Sequence, residues 1–250
     1  MQPEVIRYSD RPELWDWLGG LSDDAWPEYN KHGENLNKYW VRLYDDFPEW
    51  QFILYDREDQ LVLAEGHAVP VDWDGTDSGL GPGIDATIAA AFELRARGGQ
   101  PAAVCALAAA IPPRHQGRRL SPEILQAMTA LAGLAGLPHV ITPARPSRKD
   151  RYPTIPIERY ARWTRADGTP FDPWVRVHTG LGARIGPVLP RSLRIAGSVA
   201  EWECWTDMAF PETGDYVFDG GLTTVHIDRE NDTGEYWEPN IWLIHTVPQV

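Results

Sequence analysis

Residues 102–125 read AAVCALAAAIPPRHQGRRLSPEIL. The opening apolar run ends at Pro112-Pro113. Its length and flanks fit a strand buried on both faces, although alanine-rich runs are also compatible with helix. Ser121-Pro122-Glu123 predicts a helix start, with Ser121 as N-cap, Pro122 at the first helical position and an acid in the first turn. Ile124, Leu125, Met128, Leu131 and Leu134 then carry a buried face as far as Gly136. Between strand and helix lies Arg114-His115-Gln116-Gly117-Arg118-Arg119. Amides at a helix start lack intrahelical partners and sit at the positive end of the helix dipole. A glycine there lets an oxygen-rich ligand come close to the main chain. Successive amide donors plus arginines suit a diphosphate better than a single carboxylate. The alternative is an ordinary strand–helix turn with its arginines in solvent.

On the N-terminal side, Asp10-Arg11-Pro12 opens a short helix that Gly19-Gly20 closes, and Leu36, Trp40, Leu43, Tyr44 and Phe47 mark a second helix over residues 34–47. Gln51–Tyr55 and Leu61–Val69 flank a polar turn and read as a hairpin. A Gly- and Asp-rich loop spans 72–83, and a third helix runs from Ile84 to Gly98-Gly99. On the C-terminal side, His139–Thr142 reads as a buried strand. A Pro-rich basic stretch follows, then a short helix over Pro173–Leu181. The remainder reads as β: Ala183–Val188, Ser192–Ile195, Tyr216–Val217, Thr223–Ile227 and Ile241–Thr246. The order is mixed α/β (α+β) in a single domain over 1–250, with N-terminal helices in 1–50, a core in 51–195 and a C-terminal β-rich extension in 196–250.

The 250 residues carry 23 Lys+Arg and 36 Asp+Glu, a net charge of -13, with 12 Trp and 43% hydrophobic residues. That is ample for a sizeable core and too apolar for a disordered chain. The charge is uneven. Residues 1–110 carry a net -12, residues 111–160 a net +5 and residues 161–250 a net -6. A basic island in an acidic chain points to a local anion site or, equally, to a solvated basic loop. The overall charge argues against a nucleic-acid partner. No apolar run is long enough to span a membrane, and the N-terminus lacks the plan of a signal peptide. Cys105 and Cys204 cannot build a disulfide framework, so a reduced, cytoplasmic chain is expected. The seven histidines show no paired metal spacing, and no metal is expected. Asp228–Gly234 has the glycine out of register for a calcium loop and reads as a hairpin turn.

With its leading Ile111-x-Pro113, the loop Gln116-Gly117-Arg118-Arg119-Leu120-Ser121 resembles the acyl-CoA loop of the GCN5-related N-acetyltransferase family, Gln/Arg-x-x-Gly-x-Gly/Ala. Arg119 stands where the first motif glycine is usual, and Ser121 where Gly/Ala is usual. Downstream, His178-Thr179-Gly180-Leu181-Gly182-Ala183 is similar to the family's Tyr-x-x-x-Gly-Phe, with His178 at the tyrosine. The resemblance covers residues 50–195 and implies a twisted mixed sheet flanked by helices.

It further implies acetyl-CoA or another acyl-CoA as co-substrate and acyl transfer to the amine of a small molecule by direct attack. The pantetheine would pair with main-chain groups of Ala109 and Ile111, and the diphosphate would lie on Gln116, Gly117, Arg118, Arg119, Leu120 and Ser121. His178 would protonate the leaving thiolate, a role open to a histidine near its ordinary pKa, or would be a merely packed residue. From the residues themselves, Arg145, Arg148, Lys149 and Arg151 are candidates for the ribose phosphate. Glu65, Asp72 and Asp74 are candidates by position for the amine proton, the alternative for each being a solvated acid. Trp15, Trp17, Trp26, Tyr29, Tyr39, Trp40 and Tyr44 would form either an acceptor wall or core packing. The competing readings are a catalytically idle CoA- or ligand-binding module and an unrelated α/β enzyme for a phosphorylated substrate. A homodimer is open.

Overall fold

The computed structural model describes residues 3–17 and 25–248. Within them the strands are β1 (Glu4–Arg7), β2 (Gln51–Asp56), β3 (Leu61–Val71), β4 (Ala103–Ala110), β5 (His139–Ala144), β6 (Arg184–Gly197), β7 (Gly214–Tyr216), β8 (Val225–Asp228) and β9 (Thr233–Thr246). The helices are α1 (Glu34–Trp40), α2 (Leu43–Asp46), α3 (Ile84–Ala96), α4 (Leu120–Leu134), α5 (Ile157–Tyr160), α6 (Pro173–Gly180) and α7 (Val199–Thr206). The strands form one sheet in the order β1-β2-β3-β4-β5-β9-β8-β7, with β6 also paired to β9. Every pairing is antiparallel except β4 with β5.

The alanine-rich run is a strand. Ala103–Ala106 are at most 3% exposed, and helices cover the sheet: α3 packs on β3 and α4 on β3, β4 and β5. Small side chains on β4 let these layers approach closely. Its parallel pairing with β5 stops after Val104↔Val140 and Cys105↔Ile141. Beyond that point the strands part, although both continue, to Ala110 and Ala144.

Several boundaries differ from expectation. The stretch 34–47 breaks into α1 and α2 at Val41-Arg42. Ser121 lies inside α4, whose N-cap is Arg119. The segments expected at 183–188 and 192–195 are one strand, β6, bulged opposite Pro239 of β9, which has no N–H to give. The C-terminal β segments are not an appendage. β9 runs beside β5 at one end and β8 at the other, with β6 along its opposite edge. Helix α7 lies where only β structure was expected. Its Ser198/Glu201 capping box is a signal the sequence does carry. Asp228 accepts from the amides of Glu230 and Asn231 in the β8–β9 turn, as expected of a hairpin. Gly19-Gly20 lie outside the described residues.

Gly66 of β3 sits opposite Phe52 and Ala109. A Cβ there would fall 2.2 Å from the Phe52 ring, which is fully buried. Gly66→Ala is expected to cost about 1–3 kcal/mol by overpacking, lowering the melting temperature by roughly 2–12 °C. An unchanged thermal melt would show that the ring can yield.

Candidate active site

Where β4 and β5 part, a cavity of about 810 Å³ opens. Its walls include Ala106–Ala109 and Ile111 on one strand and Thr142–Ala144 on the other. Gln116, Gly117, Arg119, Leu120 and Ser121 line one region together with Leu125 and Met128 of α4 and Trp174 and Val177 of α6. The N-terminal segments contribute Trp26, Asn30 and Trp40, and β9 contributes Glu238 and Asn240.

The loop has the backbone an anion site requires. Gly117 has φ +81°, and nothing lies within 4 Å of where its Cβ would be, so the main chain is open there. Arg119 takes φ 61°, the left-handed conformation that glycine favours, although it carries a side chain. No side chain caps α4, leaving its first-turn amides without a side-chain acceptor. Arg118 and Arg119 are exposed beside them. His115, 5% exposed, contributes to the wall, and its buried Nε2 has no partner. Burial, with Arg114 and Arg118 nearby, holds its pKa below the ordinary histidine value. The Thr142 hydroxyl is likewise buried without a partner. Sequence reasoning named neither atom, because only the folded packing removes their partners.

Of the other residues singled out from sequence, Ala109 and Ile111 line the cleft, while Arg118 and Arg148 are exposed outside its lining. Lys149 is not available to a phosphate. It is 1% exposed, and its Nζ donates to the carbonyls of Tyr152 (2.7 Å), Pro153 (3.4 Å) and Leu222 (2.6 Å). Desolvation lowers its pKa to about 8. Arg145 is committed elsewhere, as described below. Glu65 is 2% exposed and does not line the cleft. It accepts from the Tyr44 hydroxyl at 2.8 Å and lies 3.2 Å from His67 Nε2, whose Nδ1 meets Gln51 Oε1 at 2.9 Å. Trp40, which does line the cleft, packs over the His67 ring. Asp72 is paired with Arg97, and Asp74 holds the Thr76 turn.

His178 is the clearest correction. It is fully buried behind Trp174 and does not reach the cleft lining. Its Nδ1 meets His245 Nε2 at 2.8 Å, and its Nε2 has no partner. Burial and the neighbouring His245 lower its pKa to about 3, so it holds no acidic proton at neutral pH. The packed alternative is the one realised. The aromatic residues divide. Trp26 and Trp40 form cleft wall, Tyr39 packs on Phe92, Trp15 and Tyr44 pack with Tyr8, and the Trp17 side chain lies outside the described residues.

A polar network missed by sequence reasoning stands on β9. Glu238, 3% exposed, pairs with Arg145 at 3.0 Å. Arg145 also donates to Gly220 O at 2.7 Å and the Tyr29 hydroxyl at 2.9 Å. Burial works against the Arg145 charge, but Glu238, with Tyr29 and Tyr236, more than offsets it and holds its pKa above the ordinary value. Glu238 carries no motif and lies 93 residues from its partner, so spacing does not reveal it. Among the described residues, no group of histidine, cysteine and carboxylate side chains could hold a metal, and no helix is long and apolar enough to cross a membrane.

No protein-family model matches the chain. A curated relative, the arginine N-acetyltransferase avaD of Aspergillus versicolor, is 28% identical over 266 aligned positions, covering 95% of this chain and 91% of that one. Among solved structures, the loading GNATL domain of CurA from Lyngbya majuscula aligns with a TM-score of 0.58 at 16% identity, over 98% of this chain and 97% of that one. The GphF GNAT-like decarboxylase in complex with isobutyryl-CoA aligns with a TM-score of 0.57 at 19% identity, over 98% and 100%. These two likenesses establish the fold.

The His178–His245 pair sets a pH dependence. Both pKa values are lowered in the fold, so below about pH 6.5 the unfolded chain binds more protons and stability falls with pH toward the folded values. For His178 the loss at pH 5 is about 2 kcal/mol relative to pH 7.5, or roughly 4–8 °C in melting temperature. The drop between these pH values is expected to shrink in His178→Phe; an equal drop in the variant would remove the assignment.

Proposed function

We propose that the chain is a divergent member of the GCN5-related N-acetyltransferase family and that it transfers the acyl group of acetyl-CoA to the amine of a small molecule. The observation that carries this reading is the parting of β4 from β5 beside an open, uncapped loop–helix junction. Past Cys105 the edge of β4 that faces β5 is unpaired, so main-chain groups of Ala109 and Ile111 are placed to bond the amides of an extended pantetheine arm. The loop Gln116–Ser121 would hold the diphosphate on main-chain N–H groups, with Arg118 and Arg119 adding charge and Arg148 outside. The relative from Aspergillus versicolor makes arginine the first acceptor to assay.

In such a transfer the lone pair of a neutral amine nitrogen forms the new C–N bond at the thioester carbonyl carbon and the C–S bond breaks. The amine gives up one proton, and CoA departs as its thiol. The walls of the cleft act by holding amine and carbonyl together, which supplies much of the rate in a reaction of this kind. This reading gives no role to His178, which is buried with its Nδ1 on His245, or to Glu65, which lies behind the lining rather than in it.

Calorimetric titration with acetyl-CoA, followed by a thiol-release assay over an amine panel, tests the reading. Gly117→Val places a β-branched residue at φ +81° and is expected to weaken acetyl-CoA binding about tenfold or more, while the strain lowers the melt by roughly 2–12 °C without unfolding the protein. Unchanged affinity would remove the loop assignment. Carbon dioxide release from a 2-carboxyacyl-CoA with no acyl-amine formed would replace transfer with decarboxylation. Acetyl-CoA binding without turnover of any acceptor would leave an idle binding module.

A further inference from the structure

Glu238 is, among the described residues, the one carboxylate that lines the cleft. Its two oxygens differ. Oε2 accepts from Arg145 Nε and Asn30 Nδ2 at 3.0 Å each, and from the Tyr29 and Tyr236 hydroxyls at 3.4 Å each. Oε1 has no partner among the described residues. Two positions along β9, Asn240 is also 3% exposed and also lines the cleft. Its Nδ2 donates to Pro239 O at 3.0 Å, which turns its Oδ1 the other way, and that oxygen too is without a partner. Residues two apart on a strand share a face. The cleft lining therefore includes two side chains from one face of β9, each held by its other contacts and each with an acceptor oxygen that no described residue engages.

We propose that Glu238 Oε1 and Asn240 Oδ1 seat a guanidinium group of the acceptor, making Glu238 the residue that sets acceptor choice. A carboxylate has lone pairs on both oxygens, so bonding to Arg145 through one leaves the other able to accept. Two fixed acceptors match the planar donor fork of a guanidinium better than the compact point charge of an ammonium. Trp26 and Trp40 add aromatic faces of the kind on which a weakly hydrated guanidinium stacks. Arg145 does not compete for the seat, because its Nη2 is spent on Tyr29 and Gly220. A guanidinium stays protonated at neutral pH and is no nucleophile. The nitrogen that takes the acyl group is thus a separate primary amine of the same molecule. The inference rests on the acyl-transfer reading for which nitrogen reacts, but not for the seat itself.

The test compares arginine with citrulline, which replaces the guanidinium by a neutral urea of the same shape. Binding is measured by calorimetry on the full chain, and transfer by steady-state kinetics. The native protein is expected to favour arginine by about tenfold or more. Glu238→Gln is expected to raise the KM for arginine about 10- to 100-fold while kcat stays within about threefold, with the affinity for acetyl-CoA unchanged. Removing Glu238 leaves Arg145 buried without its counter-charge, so Asn240→Ala, which leaves the ion pair intact, is made in parallel and decides the matter if Glu238→Gln does not fold. It too is expected to erode the preference for arginine. No preference in the native protein overturns the seat, as does a preference that survives in the folded variants. A fall in kcat for both acceptors at constant KM would make Glu238 a proton-transfer group and likewise overturn it. Glu238-dependent arginine binding with no acyl transfer to any amine would uphold the seat and sink the transfer reading.

Discussion

Two register pairs, Val104 with Val140 and Cys105 with Ile141, join β4 to β5, and the cleft depends on their being so few. Buried main-chain N–H and C=O groups are costly to leave without partners, and an unfinished parallel ladder at the centre of a sheet is normally closed by the next strand. Here it is left open, and the rest of the structure makes that opening tolerable. β3 holds the other edge of β4 along nearly its whole length, and β9 does the same for β5. Each parted strand is thus anchored on one side while its free edge lines the cleft. Paired along its full length, β4 would have no free edge to offer a ligand, and a cleft at this place would not exist.

How much of this was legible in the residues depends on the range of the signal. The strand–loop–helix unit was, because its information is local: an apolar run, a proline stop, a glycine and a helix start within a few tens of residues. The left-handed Arg119 was not, since an arginine announces no such conformation and the N-cap was assigned to Ser121. The reversal at His178 came from the same limit. Its position in the chain matched a motif, but its chemistry is set by His245 on β9 and by complete burial, neither of which local sequence encodes. Lys149 fails likewise, as its partner at Leu222 lies 73 residues away. The capping box of α7 is a different matter: the signal was local and present, and the β-like surroundings outweighed it.

The long strand β9 brings to the cleft the lining residues least visible in the sequence. It carries Glu238 and Asn240 to the cleft from near the C-terminus, and Pro239 between them interrupts the ladder just where β6 bulges away. A bulge beside a site re-aims side chains that a regular ladder would hold in register. Beside this bulge Pro239 O accepts from the Asn240 side-chain amide, which holds that side chain in place.

The charge pattern then acquires a structural meaning. The basic island does not act as one cluster. Lys149 and Arg145 turn inward to satisfy carbonyls and a carboxylate, while Arg118 and Arg119 remain at the surface beside the uncapped helix. The island thus divides its work. Its buried members knit the Pro-rich segment and the β5 terminus to the C-terminal strands, and its exposed members supply positive potential to the loop. The chain carries -13 overall, with +5 in residues 111–160 set against -18 in the rest, so a free anion is repelled except in this region. Under the proposed acyl transfer, an anionic donor would be drawn to this region, and the cleft between the parted strands would be the place where it meets the acceptor.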